Sequence, residues 1–144
     1  MNWTEPITDR TQLDVVNRTH KAFLNAQDLN RIEGNMQWLV NILAHRIPVY
    51  IFSKTDWDDT MTATTGDIRR ICEGITAVKD AFYRPTGYVD IAGLDTKPLD
   101  FIDVNGLEMN LYLIKELVDW MIASFRKTVF KSGATLFLPK RRMQ

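Results

Sequence analysis

The sequence predicts a mainly α-helical protein: a small bundle of three long helices and a short N-terminal helix, with a β-hairpin at the C-terminal end. Three observations carry that expectation. One helix-start pattern occurs three times. The residues after each start place apolar side chains at spacings of three and four. The last stretch then changes to β-branched and aromatic residues around a Lys-Ser-Gly turn.

The starts share one register: Asp28-Leu29-Asn30-Arg31-Ile32-Glu33-Gly34-Asn35, Asp67-Ile68-Arg69-Arg70-Ile71-Cys72-Glu73-Gly74 and Asp103-Val104-Asn105-Gly106-Leu107-Glu108-Met109-Asn110. Three residues before each aspartate stands a good N-cap: Asn25, Thr64 and Asp100. A cap side chain in this spacing accepts from the third helical amide, while the aspartate reaches back to the cap amide. Each aspartate also lies in the first turn, where the helix dipole favours negative charge. The stripes that follow are Leu29, Ile32, Met36, Leu39 and Leu43; Ile68, Ile71, Ile75, Val78 and Phe82; and Val104, Leu107, Leu111, Ile114, Val118, Met121 and Phe125. They predict helices over about 25–45, 64–83 and 100–125, the first two stopping ahead of Pro48 and Pro85. Thr11 and Asp14 form a fourth cap-like pair, opening a shorter helix through Val15, Thr19, Ala22 and Phe23.

The connections run to about 15–20 residues and are rich in apolar groups, Val49-Tyr50-Ile51-Phe52 and Trp57 in one, Tyr88, Val89, Ile91 and Leu94 in the other. Loops of that length in a compact domain pack against something or bind something. Residues 1–125 are therefore expected to form the bundle, and residues 126–144 a basic hairpin and tail.

Composition narrows the function classes. The chain has 144 residues, 45% hydrophobic and 25% charged, ordinary for a soluble globular domain. Its start lacks the basic and apolar regions of a secretory signal, and no apolar run is long enough to span a membrane, so no membrane partner is expected. Cys72 is the lone cysteine, which excludes an internal disulfide and a four-thiolate zinc site, and His20 and His45 are the only histidines. The zero net charge hides an asymmetry: residues 1–125 carry 12 basic against 18 acidic side chains, and no acidic residue follows Asp119. Arg126, Lys127, Lys131, Lys140, Arg141 and Arg142 make the tail basic, able to meet the acidic body of another copy or, as the alternative, nucleic acid.

The phrase Leu24-Asn25-Ala26-Gln27-Asp28-Leu29-Asn30-Arg31-Ile32-Glu33-Gly34-Asn35, with Trp3 and Thr8-Asp9-Arg10-Thr11 upstream, resembles segments common in tail, baseplate and fibre-associated proteins of phages and prophages of Gram-positive bacteria. Those segments combine a tryptophan, a short polar stretch and this helix start, and here Trp57 precedes the second unit. The middle unit departs from the pattern with Arg69, Arg70 and Cys72, and the third with Gly106. The resemblance implies a virion structural protein, made in the bacterial host cytoplasm, whose partners are other virion proteins or further copies of itself.

Catalytic raw material is thin. Asp56, Asp58 and Asp59 lack the glycine and terminal glutamate of a calcium loop. Glu33 and Glu108 share a register and could form a carboxylate pair, but no histidine stands three residues on, and Glu33 could instead pair with Arg31 or Arg70. Arg31, Arg69 and Arg70, in first helical turns, are the groups that could reach phosphate or bases. No phosphate loop, nucleophile elbow or zinc motif is present, so no enzyme, metal or cofactor is expected. The interface candidates are the loop aromatics Tyr50, Phe52 and Trp57, the hairpin residues Phe130 and Phe137, and the cations Arg126, Lys127, Lys140, Arg141 and Arg142.

Overall fold

Every expected helix start is present. The computed structural model describes residues 2–19, 21 and 24–136, with side chains through residue 124. It contains α1 (Gln12–Val16), α2 (Ala26–Leu43), α3 (Thr65–Ala81), a single 3-10 turn (Leu94–Thr96) and α4 (Phe101–Leu136). Thr11, Asn25 and Thr64 each close a reciprocal capping box with Asp14, Asp28 and Asp67. Asp100 does the same for α4, accepting from the Asp103 amide at 2.9 Å while Asp103 accepts from the Asp100 amide at 3.1 Å. The Thr64 amide holds the Asp67 carboxyl below its ordinary pKa, and the Thr11 and Asp103 amides do the same for Asp14 and Asp100.

The chain divides into two compact units, Met1–Ile114 and Lys115–Gln144. In the first, the apolar stripes meet as the core: Ile32, Met36 and Leu39 of α2, Ile71, Ile75 and Val78 of α3, and Leu107, Leu111 and Ile114 of α4 are all buried. Gly74 lets α2 and α3 approach, since a Cβ there would lie 2.5 Å from the Met36 sulfur. In the second unit Lys115 pairs with Asp119 at 2.5 Å and Trp120 stands exposed.

Two expectations change. α1 stops at Val16 and does not continue through Thr19, because Arg18 takes a left-handed φ of 53° and the Thr19 amide turns back to the Asp14 carbonyl. Ala22, Phe23 and His20 lie outside the described residues. α4 is helical through Leu136, past its expected end near Phe125; the hairpin expected over 128–139, with Phe130, lies beyond the described side chains, as do Arg126 and Lys127, and Phe137, Lys140, Arg141 and Arg142 lie outside the described residues. Among the described residues there is no β-strand.

Candidate functional site

The long connections are not free loops. Three irregular segments, 4–10, 51–57 and 89–95, lie against the helices, and the repeated polar residues of the helix starts hold them there. Asn35 of α2 accepts from the Thr4 amide at 2.8 Å and donates to the Thr4 carbonyl at 2.7 Å. Asn110 of α4 clamps Val89 in the same two-way fashion, at 2.6 and 2.8 Å. Asn30 clamps Trp57 (2.9 Å both ways) and Asn105 clamps Arg10 (3.2 and 3.0 Å). A carboxamide carries one acceptor and donors on one rigid plane, so it satisfies the amide and carbonyl of a single residue as a neighbouring strand would.

Between the two asparagines of α2 and of α4 sits a buried glutamate. Glu108 accepts from the Ile7 amide at 3.2 Å, from the Arg10 guanidinium at 2.7 Å and from Arg31 at 2.5 Å. Glu33 accepts from the Lys54 amide at 2.8 Å, from the Trp57 indole N–H at 2.6 Å and from Arg70. The two junctions are copies of each other: Ile7 and Arg10 stand to α4 as Lys54 and Trp57 stand to α2. Arg31 crosses from α2 to α4 as Arg70 crosses from α3 to α2. Burial opposes the charge on Arg31, but Glu108 and Asp28 outweigh it and hold its pKa above the usual value; Glu33 raises that of Arg70. Asp28 completes the first junction, accepting from Arg10 at 3.1 Å and Arg31 at 2.5 Å.

The same register predicts a third junction, between α3 and segment 89–95, and its groups are different. Cys72 takes the glutamate's place, Gly106 the crossing arginine's, and Gly74 and Arg69 the two asparagines'. Arg69 binds the Asp95 side chain at 2.9 Å instead of clamping a backbone, and the Ala92 amide turns to its own Asp90 at 3.0 Å. Buried Ile91 and Leu94 supply apolar contact where the other segments carry Pro6 and Asp9, or Ser53 and Asp56. A Cβ on Gly106 would come within 3.1 Å of Val89, so no arginine fits there without a shift. Burial, helped by Asp95, Asp103 and Glu73, pushes the Cys72 thiol up to about 11. That is the reverse of what an attacking cysteine needs.

Measured against the sequence-based candidates, the arrangement reassigns several residues. Glu33 and Glu108 sit in separate ion-paired networks, not in one acid–base site, and Arg70 is the partner of Glu33. Arg31 and Arg70 are turned inward, and Arg69 is held by Asp95. Asp56 pairs with Lys54 at 2.7 Å and Asp58 caps the Thr60 amide at 2.9 Å. Among the described residues no cluster of His, Cys, Asp or Glu could hold a metal ion, and no helix is long and apolar enough to cross a membrane. Trp57, expected at an interface, is 6% exposed, because Glu33 and Asn30 draw it into the second junction. Tyr50 and Phe52 stand at the surface, 91% and 74% exposed.

The residue that sequence reasoning missed is Arg10. Its side chain is fully buried and ties the N-terminal segment to Asn105, Asp28 and Glu108. One signal pointed to it: Thr8-Asp9-Arg10 and Thr55-Asp56-Trp57 place the clamped residue after the same Thr-Asp pair. No protein-family model matches the chain, and no curated protein and no solved structure matches it.

Proposed function

We propose that this chain is a non-enzymatic structural protein of a phage particle, a tail, baseplate or other virion component that acts through protein contacts. One observation carries the non-catalytic part: the buried polar groups of the helix starts are engaged with one another and with backbone. Asp28, Glu33 and Glu108 each accept from arginines that are themselves inside the fold, so none is presented to a substrate. Polar residues spent in this way specify how segments dock on helices. What lies outside the junctions is what a contact protein offers, namely exposed aromatics at Tyr50, Phe52 and Trp120 and a basic end after Asp119. The particle assignment is supported by the resemblance of Asp28-Leu29-Asn30-Arg31-Ile32-Glu33 and its upstream Thr-Asp segment to tail-associated phage proteins.

Quantitative mass spectrometry of particles purified from the host strain tests the reading. Presence at a fixed ratio to the major structural proteins is expected. Abundant protein in the lysate, with none in the particles, would overturn it.

A further inference from the structure

The second and third units each depart from the repeat, and the two departures are complementary. Segment 51–57 departs by exposing aromatics. Tyr50 stands in the register of Trp3 and Tyr88, and Phe52 in that of Glu5 and Asp90. Trp3 is packed edge-on against Trp38 with centroids 5.5 Å apart, and Tyr88 lies beside Lys79 and Arg84 at 5.3 and 5.4 Å. Tyr50 projects instead, and Phe52, with the Arg70 guanidinium 5.6 Å from its ring centroid, remains largely exposed. The repeat tolerates acids at the Phe52 register, so folding does not require a ring there. Residues 34–53 contain no acidic side chain, and the cation beside this knob is the Arg70 guanidinium, so the knob carries no negative charge of its own.

The third junction departs by shrinking. Cys72 replaces a glutamate, Ala92 replaces Ile7 or Lys54, Gly93 replaces a threonine, and Thr76 stands where α2 has Gln37 and α4 has Tyr112. The smaller side chains leave a groove of about 490 Å³ between α3 and segment 89–95. Its lining includes Ile91 and Ala77, and its charged groups are three carboxylates, Glu73, Asp80 and Asp95, against the one cation Arg69. Asp95 holds Arg69 and Asp80 pairs with Lys79 at 3.0 Å, which leaves Glu73 to make the rim acidic.

We infer that the Tyr50–Phe52 knob of one copy docks in the Glu73–Asp80 groove of a second copy. A ring entering the groove packs on Ala77, Ala92 and the remaining edge of Ile91, and a knob without acidic side chains meets the carboxylates of the rim without repulsion. Knob and groove are different surfaces of the chain, so the contact is heterologous. Repeated, it closes into a ring or runs on as a filament. The inference does not depend on the particle assignment, because it concerns contacts between isolated copies in solution.

Sedimentation of the full chain over a concentration series tests it. The wild type should show a weight-average mass that climbs above the 16.7 kDa monomer. Tyr50→Ser with Phe52→Glu, which copies the polarity of Glu5, should remain monomeric with unchanged helicity by circular dichroism. Glu73→Lys with Asp80→Lys should do the same from the other surface. Mixed in equal amounts, the two variants retain one intact knob and one intact groove between them, so the mass should reach that of a dimer and stop. A wild type that stays monomeric, a folded variant that associates as the wild type does, or a mixture that remains monomeric would each overturn the proposal. Presence or absence of the chain in particles is a separate measurement, so either reading can fail alone.

Discussion

The junctions of α2 and α4 and the junction of α3 solve the same problem with different chemistry. Each must fix a segment without regular structure against a helix. The α2 and α4 junctions use a buried glutamate, a crossing arginine and two asparagine clamps, so each glutamate accepts from both a backbone amide and a guanidinium. The α3 junction removes glutamate and arginine together, sets Ile91, Leu94 and Cys72 in their place and leaves a groove beside them. Losing both partners at once is the inexpensive route. A buried ion pair exchanged for apolar groups is often close to neutral, whereas losing one partner strands the other. The paired losses at Cys72 and Gly106 therefore teach that the repeat is energetically a set of couples.

The largest expected effect follows from breaking one couple. Glu108→Ala leaves Arg10 and Arg31 buried with Asp28 as their only carboxylate and orphans the Ile7 amide; a loss of about 3–5 kcal/mol is expected from urea denaturation. Cys72→Ala, at the equivalent position of α3, should cost far less, because no ion pair depends on it. A Glu108→Ala loss no greater than that of Cys72→Ala would show that the junctions do not differ as argued.

Single clamps come next. Asn35→Ala and Asn110→Ala each leave a backbone amide and carbonyl without their partner, and both asparagines are buried, so a loss of about 1–3 kcal/mol each is expected. Asn41→Ala, whose bond to Gln37 is exposed, should stay within about 0.5 kcal/mol and serves as the control. Gly74→Ala should also cost about 1–3 kcal/mol by crowding Met36, and the flexibility of that side chain places it toward the low end.

The helices were legible and the junctions were not, for a physical reason. A capping box spans three residues and an apolar stripe repeats every three or four, so local sequence contains both. A clamp joins residues as distant as Ile7 and Glu108, and nothing near Glu108 says whether its carboxylate meets a substrate or a buried arginine. Trp57 follows the same rule: its indole reaches Glu33 across 24 positions, a contact that no local pattern contains. The shared Thr-Asp before Arg10 and Trp57 was the available clue, and the third segment hides it by carrying Gly93-Leu94 there. Short range also explains α1, whose cap formed as expected while its length depended on Arg18 adopting a left-handed turn.

The smallest effects are read by pH. The lowered carboxyls of Asp14, Asp67 and Asp100 bind protons less readily folded than unfolded, so their stabilisation is present above about pH 4 and is lost as pH falls below it. Asp67→Asn should flatten that acid limb in a helicity titration. Cys72 gives the opposite limb. Its folded thiol holds its proton up to about 11, against about 8.5 for an unfolded cysteine, so stability should be full below pH 8.5 and fall as pH rises toward 11. Cys72→Ala should remove that decline. In the native wild type, iodoacetamide labelling should still be accelerating at pH 10, while in urea it should level off between pH 9 and 10. A native plateau near pH 9 would mean that the thiol is solvated as in an ordinary surface site. The groove beside Cys72 would then hydrate the thiolate, and Ile91 and Leu94 would not shield it.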